Sequence, residues 1–189
     1  MNFEVLDFPW SHAYSKSFVE DEFAKKMNKE FPKWDSPIWD KWGKVFDTEY
    51  GYKKMLADKS VMPPSIFSFI EQLESQEFID TISEATGIDD LLIDDELYGG
   101  GLFIHPTGSH LTTHIDFNFN NDIKLYRAVN LLYYMSDYSL EFFQRCTLIL
   151  IKARSRLGFS LLENLLEFYY YRFSSNFLRW AWPLNISAP

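Results

Sequence analysis

The spacing of apolar residues changes period partway along this 189-residue chain, and that change limits the fold more than any other feature. Phe18, Val19, Phe23, Met27 and Phe31 recur at helical intervals behind a Ser17-x-x-Glu20 capping-box pattern, and Pro32 ends the run. Pro63 and Pro64 open a second amphipathic helix carrying Ile66, Phe67, Phe69, Ile70 and Leu73. Ser75 caps a third, which presents Phe78, Ile79 and Ile82 and stops at Gly87. Residues 34–52 have no clean periodicity and read as loop with short extended pieces. From Leu97 the texture becomes strands and tight turns. Gly99, Gly100 and Gly101 precede the apolar run Leu102 to His105, the turn signal Pro106-Thr107-Gly108-Ser109 follows, and residues 111–117 alternate. Residues 128–135 form an apolar run long enough for a buried strand. Helices first and strands afterwards predict an α+β fold.

Length fits one domain with one hydrophobic core, divided into a helical lead-in (1–96), first strands (97–140) and an atypical tail (141–189). Apolar residues at 47% and aromatic residues at 19% exclude a disordered or collagen-like chain. No run of about 18 apolar residues is present, so no membrane partner is expected. Residues 1–12 have neither a basic nor an apolar signal-peptide region, which points to the cytoplasm. The lone Cys146 can form no internal disulfide, in keeping with a reducing compartment. A net charge of −9 disfavours nucleic acid and anionic lipid as partners. The acidic run Asp89, Asp90, Asp94, Asp95 and Glu96 lacks the ligand order and glycine of a calcium loop and reads as a solvated surface.

The residues closest to chemistry are His114 and Asp116. On a strand, side chains two apart share a face, so an imidazole and a carboxylate can reach one ion while Ile115 packs behind. Non-haem ferrous sites use two His and one carboxylate on one face, leaving three positions open. By itself the triplet is a weak signal and is more often a surface pair on a strand.

Its surroundings narrow the choice. Gly99-Gly100-Gly101-Leu102, His105-Pro106-Thr107-Gly108-Ser109, His114-Ile115-Asp116-Phe117-Asn118 and Arg127-Ala128-Val129-Asn130-Leu131-Leu132-Tyr133-Tyr134 stand in an order and spacing that resemble the core of 2-oxoglutarate/Fe(II)-dependent oxygenases of the prolyl 4-hydroxylase-like group. Met62-Pro63-Pro64, Phe78-Ile79 and Thr86-Gly87-Ile88 extend the resemblance into the helical lead-in, over residues 10 to 140. It implies a double-stranded β-helix, or jelly roll, with iron in its mouth. His114 and Asp116 match the first two metal ligands. Tyr134 matches a place where such enzymes carry a tyrosine near the 2-oxoglutarate carboxylate, although a barrel-wall aromatic is the plain alternative. Arg127 matches a recurrent basic residue at a strand start, as a structural pairing or as a ligand. The implied activity is hydroxylation of a small-molecule or peptide substrate with molecular oxygen, Fe(II) and 2-oxoglutarate, with ascorbate as an auxiliary reductant.

The resemblance ends near Leu140. The expected Gly-Gly pair, distal His-Gly and following basic residue are missing, and no histidine follows His114. Charge reverses at the same place: 12 basic against 24 acidic residues up to Leu140, then 6 against 3. A change of reading frame near codon 140 would explain both. The other explanation is divergence, with His105 or His110 recruited as a ligand. Thr147 to Ile151 and Phe168 to Tyr171 offer apolar runs, and Leu161, Leu162, Leu165 and Leu166 have helical spacing, yet the tail lacks glycine turns to set strand register. The expected sheet is therefore incomplete after residue 140. A non-catalytic jelly-roll binding or scaffold protein is the main rival reading, and a helical adaptor the third.

Overall fold

The computed structural model describes residues 3–6, 12–15, 18–48, 51–106, 109–111, 119–135, 148–152, 171–172 and 177–187. Within them, helices α1 (Asp21–Glu30), α2 (Pro37–Trp42), α3 (Pro64–Leu73) and α4 (Gln76–Thr86) pack on an antiparallel sheet. The fold is mixed helix and sheet, but not helices first: strands Glu4–Leu6, His12–Ser15, Lys44–Thr48 and Gly51–Leu56 lie within the segment expected to be a helical lead-in.

The helix ends follow local chemistry. Pro64 opens α3, the Ser75 hydroxyl accepts from the Phe78 amide at 3.2 Å to cap α4, and Gly87 ends α4 in the left-handed region at φ 62°. The first helix departs from its sequence pattern. It starts at Asp21, and Ser17 lies outside the described residues. Phe18 precedes the helix and packs 5.8 Å from Phe78, 6.0 Å from Phe69 and 6.3 Å from Tyr133, ring centre to ring centre. Its apolar signal thus came from aromatic packing rather than from a helical face. The region read as loop is also more ordered than its pattern suggested. After α2, strands β3 (Lys44–Thr48) and β4 (Gly51–Leu56) form a hairpin, and buried Trp39 donates Nε1–H to the Lys33 carbonyl at 2.7 Å.

The remaining strands, numbered in chain order, are β1 (Glu4–Leu6), β2 (His12–Ser15), β5 (Leu92–Ile93), β6 (Gly101–His105), β7 (His110–Leu111), β8 (Phe119–Asn120), β9 (Leu125–Tyr134), β10 (Leu148–Lys152), β11 (Tyr171–Arg172) and β12 (Phe177–Ser187). They pair in the order β1-β2-β10-β9-β12-β6-β4-β7-β11, with β3 on β4, β5 on β12 and β8 on β9. Among the described residues this path does not return on itself as a closed barrel. The segment beyond residue 140, expected to leave the sheet unfinished, supplies β10, β11 and β12. The last of these lies between β6 and β9, which no reading of its own sequence anticipated. Leu161, Leu162, Leu165 and Leu166 lie outside the described residues.

Alternation divides the sheet into two faces. Leu56, Leu102, Ile104, Leu131 and Tyr133 join Ile66, Phe69, Ile70, Ile79 and Ile82 of the helices in the main core. Each such side chain contributes about 1.5–3 kcal/mol on burial. Met55, Phe103 and Leu132 point the other way and form a second cluster, with Phe46 and Tyr134 against it. Gly101 permits the β4–β6 approach: its φ is 120°, and a Cβ there would strike the Leu56 carbonyl oxygen.

Candidate metal and co-substrate site

His114 and Asp116 lie outside the described residues. The strands leading to them are placed: β6 runs to His105, and β7 begins at His110, pairing with β4 at Gly51↔Leu111 and with β11 at His110↔Arg172. His105 is buried in β6, on the same side of its strand as Phe103 and in register with Phe177. Among the described residues, no group of three or more His, Cys, Asp or Glu side chains could hold a metal ion.

Arg127 and Tyr134 occupy opposite ends of β9, seven residues or roughly 23 Å apart at strand rise. One small co-substrate therefore does not meet both. Arg127 is buried, and its Nη2–H donates to the Tyr98 carbonyl at 3.2 Å. Asp94, also buried, stands near it and accepts from the Tyr98 amide at 2.9 Å and the Glu96 amide at 3.2 Å. Burial pushes the Asp94 carboxyl above its ordinary range, and the two amides and the Arg127 charge oppose that rise without cancelling it. Together Arg127 and Asp94 fasten residues 94–98, where buried Leu97 is held at φ 52°, a conformation that costs a branched residue roughly 1–2 kcal/mol. In this structure Arg127 supports the approach to β6.

Tyr134 is half-buried against the Met55–Phe103–Leu132 cluster, on the sheet face away from the helices. In register with it stands Arg179 of β12, which is paired on its other side with Phe103 of β6. Directly opposed positions of antiparallel strands share a face, so Tyr134 and Arg179 hold register positions on one face of the sheet. These two groups donate hydrogen bonds and are chemically suited to a carboxylate. Sequence reading missed Arg179 because it sought a basic residue counted from a distal histidine, and that histidine is missing. The only available signal was the strand register, which a linear motif does not contain.

Compared with known proteins, the chain matches no protein-family model and no curated protein.

Proposed function

We propose that the chain is a 2-oxoglutarate- and Fe(II)-dependent dioxygenase of the prolyl 4-hydroxylase-like kind, on a jelly-roll core, acting on a small-molecule or peptide substrate. The observation that carries this reading is the place of β12. Strand β12 lies between β6 and β9, an arrangement compatible with Greek-key wiring, and brings Arg179 into register with Tyr134. The ordered motif from Gly99 to Tyr134 supplies the second support.

In this reading His114 and Asp116 are the protein's metal ligands, and the Tyr134 hydroxyl and Arg179 guanidinium hold the distal carboxylate of 2-oxoglutarate by charge-assisted hydrogen bonds. Ferrous iron with 2-oxoglutarate and oxygen supplies the hydroxylating chemistry, with succinate as the by-product. The protein's part is orientation. Tyr134 and Arg179 fix one end of the co-substrate, and the Met55–Phe103–Leu132 cluster beside them keeps water from that carboxylate, which strengthens each bond. Arg127 and Asp94 hold the loop entering β6. Without a histidine after Asp116 the ligand set is short, so metal affinity is low and turnover weak. That same shortage favours the second reading, a jelly-roll binding protein that has lost its chemistry.

Two measurements test the proposal. Calorimetric titration of ferrous iron, under argon, should show weak binding to the wild type and none to His114→Ala. Titration of 2-oxoglutarate into the Mn(II)-loaded protein should weaken by about tenfold in Arg179→Gln, the loss of one charge-assisted bond. Equal iron binding by wild type and His114→Ala would sink the metal assignment. Absence of both iron binding and 2-oxoglutarate uptake in a folded wild type would favour the binding-protein reading.

A further inference from the structure

The sheet face away from the helices carries one sign of charge in its central strands. Strands β3, β4, β6, β9 and β12 contain a single acid, Asp47, and alternation from Phe46 turns it to the opposite face. Lys44, Lys53 and Arg179 hold positions on the face of the Met55–Phe103–Leu132 cluster, together with His105 and Tyr134. Packing fixes the head group of Lys53. The side chain is half-buried, and its Nζ stands 4.9 Å from the centre of the Phe103 ring and 5.3 Å from that of Phe46, so two aromatic faces hold the ammonium on the cluster.

Phe103, under that ammonium, is in register with Arg179, and Arg179 with Tyr134. The ammonium and the Tyr134 position therefore lie along one line across the sheet, two strand spacings or roughly 10 Å apart. The Lys53 end is the one nearer the metal motif, since β7, the strand ahead of His114, pairs with β4 at Gly51, two residues from Lys53. We propose that Lys53 binds the second carboxylate of 2-oxoglutarate, the one beside its keto group, so that the protein holds the dicarboxylate at both ends and binds it without a metal. This rests on the co-substrate reading, because Tyr134 and Arg179 are taken as the holders of the distal carboxylate. Two cations on one apolar face repel, and a dianion shared between them reverses the sign. After a charge-assisted hydrogen bond of about 2.8 Å at each end, the span leaves room for a short dicarboxylate. A monocarboxylate meets one end only.

Calorimetric titration of the full chain in EDTA is the test, with 2-oxoglutarate, glutarate and pentanoate as probes. The metal-free wild type should bind both dicarboxylates, each about tenfold tighter than pentanoate, the difference one charge-assisted contact makes. Lys53→Met keeps an apolar stem on the two rings and should weaken both dicarboxylates about tenfold while leaving pentanoate unchanged. Lys53→Arg, which keeps the charge, should restore them. A role confined to packing predicts the opposite order, with Lys53→Met the better tolerated in thermal melts and all three probes affected alike. Equal affinity of the wild type for glutarate and pentanoate overturns the proposal without any variant. So does metal-free binding of 2-oxoglutarate that Lys53→Met leaves unchanged. If 2-oxoglutarate binds with Mn(II) and not in EDTA, the inference fails and the co-substrate reading stands. If it binds under neither condition, that reading falls and the inference with it.

Discussion

Glu30 shows how one residue joins elements that its sequence neighbourhood does not connect. Helix α3 begins behind Pro63, which has no side-chain acceptor for the first free amides of the helix. Glu30, at the end of α1, supplies the acceptor: its Oε2 takes hydrogen bonds from the Ser65 amide at 2.9 Å and the Ser65 hydroxyl at 2.6 Å. These bonds hold its carboxyl below the ordinary value of 4.5. A carboxyl lowered on folding contributes stability that is fully present above its unfolded pKa and is lost as pH falls through the folded value. We therefore expect Glu30→Gln to be less stable than the wild type at pH 7, with the difference shrinking as pH falls from about 5 towards 3. Urea midpoints across that range check it, and a gap that is constant with pH refutes it. Asp94 has the opposite sign, since its raised folded pKa makes its ionised form a burden that grows with pH. The His114–Asp116 pair is proposed from its spacing in the sequence, and both residues lie outside the described residues. Arg179, proposed as a partner of Tyr134, carries no linear signal, because its place depends on a register with a residue 45 positions earlier.

Helix boundaries were readable wherever one or two residues decide them. The Ser75 cap and the Gly87 stop were explicit in the sequence, and Ser75→Ala should cost about 1 kcal/mol by leaving the Phe78 amide without its acceptor. Gly101 is the corresponding point in the sheet. Gly101→Ala meets both a φ of 120° and the Leu56 carbonyl, so it should cost well over about 1 kcal/mol and loosen β4 from β6. Thermal melts of the two variants should differ clearly, with Gly101→Ala the lower. Comparable melts would mean that β6 can shift away from β4 at little cost. The α1 start was misread for an identifiable reason: aromatic residues buried from a non-helical segment give the same periodic signal as a helical face.

At the scale of the molecule, β12 is the strand that joins the two halves of the sheet. It pairs with β6 along Phe177 to Ala181 and with β9 along Arg179 to Ser187, so without it β6 and β9 present unpaired edges to each other. A chain stopped at residue 176 should therefore lose cooperative unfolding, bind the dye ANS and aggregate, while α3 and α4 retain helical circular dichroism. If the shortened chain melts as sharply as the full one, the central role of β12 is wrong.

Sequence alone determined what depends on neighbours along the chain: the mix of helix and sheet, the opening of α3, the limits of α4, and strands at the apolar runs 102–105 and 128–135. These rest on caps, glycines, prolines and apolar period, which act within a few residues. Tertiary structure decided what depends on residues far apart. It placed the tail's last strand in the middle of the sheet, gave Arg127 to the Tyr98 carbonyl, set Arg179 beside Tyr134 and sent Glu30 to cap a helix 35 positions on. The physical reason is that strand pairing and remote caps are chosen by which backbone groups and faces would otherwise stay unsatisfied, and a linear pattern does not record that competition.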